Sequence, residues 1–248
     1  MCLSAPASFL VGATLLPAGY YCTKVAFRHS KRHLFLATVP FAFAAQQFSE
    51  GFVWIGIGQE NARLVSGASV VYLFFAIAFW PFWIPFSLML ANRRKWVRWT
   101  FAVLVAISLA WVWLYAPILI NPDKWLTTVV VHHSIQYEYA RLPGYQIVSP
   151  WAWRIGYLAL VTVPFGLGAM RLRRRTGGIL MAVGLGALVA GFGVSYLVFS
   201  YAFISVWCFL AALISLALCC FFAKLRSFQE NRPTSQDQHL GFGAIRVQ

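Results

Sequence analysis

Glu50 is an acid set well inside an apolar run, in the stretch Gln46-Gln47-Phe48-Ser49-Glu50 that precedes Trp54. Gln46 lies four residues earlier, so on a helix the two side chains share a face. A carboxylate beside an amide in apolar surroundings is costly unless it binds a polar group, carries a proton or meets a cation. Arg154 is the reciprocal anomaly, a cation just inside the start of a later apolar run, after Trp151 and Trp153. Glu50 stands about seven residues in from the nearest polar connection, roughly 10 Å at about 1.5 Å per residue, and Arg154 sits within a turn of that level. An ion pair would neutralise both groups; otherwise Arg154 reaches back to a polar surface along its own stem. Ser195, Tyr196, Ser200, Tyr201 and Ser205, with Cys2, Ser4 and Ser8, add polar groups at the same depth. Gln46, Glu50, Arg154, Tyr196 and Ser205 are therefore the candidate ligand-binding residues. They would line an outward-facing polar pocket rimmed by Trp54, Trp111, Trp113, Trp151 and Trp207.

A second candidate is His132-His133 with Glu138, in the long polar stretch of about 121–147. Imidazole and carboxylate are good metal ligands, but adjacent histidines point to different faces of a helix and no HExxH spacing is present. Trp125 to Tyr139 is predicted to form a short amphipathic helix lying in the membrane interface. Cys22, Cys208, Cys219 and Cys220 read as small apolar packing residues, because no CxxC or Cys/His spacing accompanies them. P-loop, GxSxG and GxGxxG motifs are absent. The expectation is no catalytic residue, no metal and no cofactor, with a bound lipid allowed for.

The elements that must position these residues follow from composition. Hydrophobic residues make up 60% and charged residues 10% of the chain, with a mean hydropathy of +0.70. That is far from the soluble norm of about 25% charged. Helices of roughly 20 apolar residues satisfy their own backbone in lipid. Seven such segments are predicted, near 6–27, 34–57, 65–91, 97–120, 148–170, 177–199 and 202–223. The predicted fold class is an all-α membrane protein, a bundle of seven transmembrane helices spanning 1–225, with a mobile cytoplasmic tail over 226–248.

Charge orients it. The formal charge of +14 is gathered in alternate connections: Lys24, Arg28, Lys31 and Arg32; Arg93, Arg94, Lys95 and Arg98; Arg171, Arg173, Arg174 and Arg175. The positive-inside rule puts these and the tail in the cytoplasm and the N-terminus outside. Flanking cations that face anionic headgroups explain the basicity without nucleic acid. Because positive charge follows rather than precedes the first apolar run, that run is expected to stay as an anchor. Ser4 is its expected N-cap, with Pro6 in the first turn. Trp80, Pro81 and Pro85 predict a kink in the third segment. Ala182, Gly186 and Ala190, four apart among further glycines, predict close helix contact.

Met1 to Phe9 and Gln46 to Trp54 resemble the opening and second-helix signature of an uncharacterised family of bacterial multi-pass membrane proteins. The resemblance implies a cell inner membrane location and supplies no catalytic residue. Two other seven-helix classes are disfavoured. Segment 202–223 has no lysine for a retinal Schiff base, and all five histidines lie in connections or the tail rather than where ceramidase-type zinc would need them. The preferred reading is a non-catalytic integral membrane protein acting as a binding, sensing or accessory subunit. Its partners are the lipid bilayer and other membrane subunits or a second copy. The alternatives are a small-molecule or ion transporter, and an outward-facing intramembrane enzyme using Glu50 and His132/His133.

Overall fold

The computed structural model describes residues 4–139, 150–172 and 176–230 and is mostly helical. Helix α1 (Ala5–His29) starts where expected: the Ala7 N–H donates to Ser4 Oγ at 3.5 Å, and Pro6 occupies the first turn. The second apolar segment is split into α2 (Leu34–Ala37) and α3 (Val39–Gly58), with the break at Thr38 and Pro40 in the first turn of α3. Proline tolerates that position because its missing N–H would be unpaired there anyway. Next come α4 (Ala62–Leu73), α5 (Trp80–Ala91), α6 (Lys95–Ile120) and the single turn α7 (Pro122–Trp125). Two strands, β1 (Thr127–Val131) and β2 (Ser134–Glu138), are followed by α8 (Pro150–Leu172), α9 (Thr176–Val198), α10 (Phe203–Ser215) and α11 (Ala217–Glu230). Among the described residues three continuous stretches, Ala62–Ala91, Lys95–Ile120 and Phe203–Glu230, are long and apolar enough to cross a membrane.

The expected kink takes a specific form. A π-helical turn, Phe74–Phe79, joins α4 to α5, and the Trp80 N–H reaches back five residues to Phe75. Pro81 and Pro85 have no N–H to offer the carbonyls four residues before them, those of Ile77 and Pro81. Helix α6 supplies the donors instead. Trp111 Nε1 donates to Ile77 at 3.1 Å, and Ser108 Oγ lies 2.6 Å from the Pro81 carbonyl and 2.8 Å from Leu104 in its own helix.

The predicted interfacial helix over Trp125–Tyr139 is corrected by a β-hairpin, the departure from the all-helical expectation. Val131 pairs with Ser134, so His132 and His133 are its two-residue turn. Both adopt positive φ, 46° and 58°, the left-handed pair that a type I′ hairpin requires. The β-branched run Thr127-Thr128-Val129-Val130-Val131 prefers a pleated strand to a helix, where its side chains crowd the preceding turn.

Close packing also falls elsewhere than predicted. A Cβ added at Gly186 would meet nothing within 4 Å, and Ala182, Gly186 and Ala190 face out of the bundle. The tight contact is α1 against α3, where the Phe48, Phe41 and Phe9 rings press on Gly12, Gly19 and Gly51. A Cβ at any of the three would come within 2.7–2.8 Å of a ring. Helix α11 runs to Glu230, past the predicted domain boundary at 225, and Arg226 Nε bonds Glu230 Oε1 at 2.9 Å one turn on. The rest of the predicted tail, 231–248, lies outside the described residues, as do Cys2, residues 140–149 and Arg173 to Arg175.

Candidate functional site

Helix α3 turns its polar residues inward. Gln46, Gln47 and Glu50 are fully buried on neighbouring positions of one face. Side chains of two other helices answer them, and a third helix braces the second of these. Trp80 Nε1 on α5 donates to Gln46 Oε1 at 2.7 Å, and Ser205 Oγ on α10 donates to Glu50 Oε1 at 2.6 Å. Tyr72 of α4, also fully buried, donates to the Ile204 carbonyl at 3.3 Å. Cys208, one turn beyond Ser205, is close enough to interact with Tyr72, Gln46 and Glu50. The hydrogen bond from Ser205 to Glu50 is charge-assisted if the acid is ionised, and such bonds are worth about twice a neutral one.

The set is not fully answered from within. Both polar atoms of Gln47, the Trp54 Nε1 and the Ser8 Oγ are buried with no hydrogen-bond partner among the described residues. Each such group forfeits about 1–3 kcal/mol unless something polar reaches it. Gln47 and Trp54 sit on either side of Glu50 along one face of α3.

The hairpin closes the end of the bundle above this cluster. Tyr137 of β2 stacks on Tyr72 with ring centroids 4.9 Å apart, Ile135 is fully buried, and Thr128 of β1 donates to Ser69 of α4 at 3.0 Å. Glu50, Gln46 and Ser205 are consequently enclosed rather than lining an open mouth.

Of the five predicted site residues, Gln46, Glu50 and Ser205 come together, while Arg154 and Tyr196 form a neighbouring pair. The Arg154 guanidinium lies over the Tyr196 ring, 5.0 Å from its centroid, and 6.0 Å from that of Phe203. Among the described residues no ion pair joins Arg154 to Glu50; its cation is attracted instead by the quadrupole of the ring faces it lies over. Ser195 bonds back to Gly191 within its own helix at 2.8 Å. Of the predicted tryptophan rim, Trp207 is buried, Trp54 and Trp111 are half-buried and Trp113 is 78% exposed. The side chains of Trp151, Trp153 and Tyr201 lie outside the described residues. His132 and His133 sit at the hairpin tip, and the exposed Glu138 accepts from Gln136 Nε2 at 3.0 Å. Among the described residues no three His, Cys, Asp or Glu side chains group as a metal site.

Sequence reasoning missed a cavity. A space of about 100 Å³, almost wholly apolar, lies between α3, α5, α8, α9, α10 and α11. Phe43, Trp80, Tyr157, Leu188, Trp207 and Cys208 are among its walls. Phe43 and Trp80 stack there at a centroid distance of 3.8 Å. Trp80 and Cys208 thus belong to both spaces: one side touches the polar cluster and the other faces the cavity. The only sequence trace of it is an inward aromatic on each of several helices, which ordinary packing produces too.

The family described as one of unknown function (DUF6629) matches residues 1–234, and the chain belongs to it. Membership therefore extends well beyond the two short stretches that carried the resemblance. No curated protein and no solved structure is detectably similar to the chain.

Proposed function

We propose that this member of a family of unknown function is a bacterial inner-membrane, multi-pass protein of seven spans that binds a lipid-like molecule as a sensing or accessory subunit. The N-terminus and hairpin face outward, and the basic connections face the cytoplasm. Support for the membrane reading comes from the three long apolar helices and from bulky apolar side chains on the outside, such as Trp113, Ile120 and Leu197, each at least 78% exposed. Water would penalise such a surface; lipid would not. Labelling of introduced cysteines tests topology: Ser30 and Arg174 should react from the cytoplasm and Gly144 from outside, and outside labelling at Ser30 would overturn it.

The observation that carries the binding role is Trp80, whose indole N–H holds Gln46 while its ring walls the apolar cavity. A polar headgroup at Gln46, Gln47, Glu50 and Ser205 and an apolar segment in the cavity would use the unanswered amide atoms and the space together. Native mass spectrometry in mild detergent should show a co-purified lipid on the wild type. Leu188→Trp, which fills the cavity, should remove it while the fold persists. Equal lipid retention in that variant would sink the reading.

Ala182, Gly186 and Ala190 form an outward small-residue stripe on α9, suited to close approach by a helix of a second copy or another subunit.

A further inference from the structure

We infer that the basic end of the bundle holds a second site, for a phosphate-bearing anion. An open cavity of about 800 Å³ lies at that end, bounded by the turn after α1, the junction of α5 with α6, and the end of α11. Lys31 and Arg32 come from the first of these, Arg93 and Arg98 from the second, and Gln229 from the third. Positive-inside topology requires cations in both connections, but not that four of them converge on one hollow. No acidic residue lines it, and none of the four is in an ion pair with a carboxylate among the described residues. Local contacts engage two of them: Arg32 Nε donates to Ser30 Oγ at 3.4 Å, and Lys31 Nζ lies 5.2 Å from the Phe27 ring centroid. Like charges gathered around one space repel, and an anion that enters relieves that repulsion. Three are guanidinium groups, whose planar forks match phosphate oxygens two at a time.

Such a phosphate has two sources, a membrane phospholipid headgroup or a soluble phosphate ester. Trp96 and Trp99, 60% and 65% exposed on the first turns of α6 beside Arg98, are residues that favour headgroup depth. The site is remote from the Gln46–Glu50 cluster and does not depend on it.

The test uses the full-length protein in neutral detergent with two probes, cardiolipin for the membrane source and inorganic pyrophosphate for the soluble one. Binding is read as retained adducts in native mass spectrometry and as a shift in thermal midpoint. Arg32→Gln with Arg98→Gln removes two cavity cations. Arg28→Gln with Arg94→Gln removes the same charge at the same end but outside the cavity. The expected result is at least about tenfold weaker binding of one or both probes in the first double variant and little change in the second. Cardiolipin alone would identify the source as lipid and pyrophosphate alone as soluble. Equal weakening in the two double variants, or no binding of either probe by the wild type, would overturn the site.

Discussion

Ser205 on α10 donates to Glu50 on α3 at 2.6 Å, a bond between residues 155 apart in sequence whose side chains are both fully buried. It links the polar face of α3 to the helix that also carries Cys208 and Trp207, so it holds one wall of the apolar cavity against the acid. Ser205→Ala should lower stability by about 1–3 kcal/mol, because a buried acceptor loses its donor. Combined with Glu50→Gln, the loss should fall short of the sum of the two single effects. Thermal unfolding in detergent of the four members of the cycle measures this, and strict additivity would break the link.

Arg154 is expected to couple to Tyr196 rather than to Glu50. Arg154→Gln with Tyr196→Leu should be nonadditive by about 0.5–1 kcal/mol, the worth of a cation over an aromatic face. Arg154→Gln with Glu50→Gln should be additive. The opposite pattern in the same unfolding assay would restore the ion pair read from the sequence.

The proline-freed carbonyls of the α4–α5 stretch make Ser108 and Trp111 structural donors. Ser108→Ala should cost about 1–3 kcal/mol in the parent. In a Pro85→Ala background, where residue 85 regains an N–H for the Pro81 carbonyl, the same substitution should cost less. An undiminished penalty there would show that Ser108 acts by packing alone.

Burial, aided by the neighbouring Arg32 charge, pushes His33 down to about 4 from 6.5, and its Nδ1 lies 2.7 Å from Ser30 Oγ. The folded state keeps the ring neutral where the unfolded chain takes a proton, so the unfolded state binds more protons between about pH 4 and 6.5. Stability should therefore fall as pH is lowered through that window and level off below it. His33→Gln should flatten this part of the thermal midpoint profile between pH 7 and pH 4; an identical slope in both proteins would assign the effect to other groups.

Much of the helical outline was legible because its signals are local. Ser4 caps α1, Pro81 and Pro85 disturb α4–α5, apolar runs set the lengths, and the four-residue spacing of Gln46 and Glu50 puts them on one face wherever that face points. The hairpin was also a local matter, but the polar and aromatic residues between Trp125 and Tyr139 drew the reading toward an interfacial helix, against the β-branched run of β1. What only the tertiary structure decided was which side chain answers which. Trp80 rather than a ligand takes Gln46 Oε1, Ser205 rather than Arg154 takes Glu50, and Cys22 comes within 3.7 Å of Cys219 from the far end of the chain. Glycines show the same division: the conspicuous stripe on α9 faces outward, and the inconspicuous Gly12, Gly19 and Gly51 admit phenylalanine rings. A helix pattern records which residues share a face, but successive residues turn about 100° around the axis. The rotation and depth at which each helix meets its neighbours, set by packing the whole bundle at once, choose the partners.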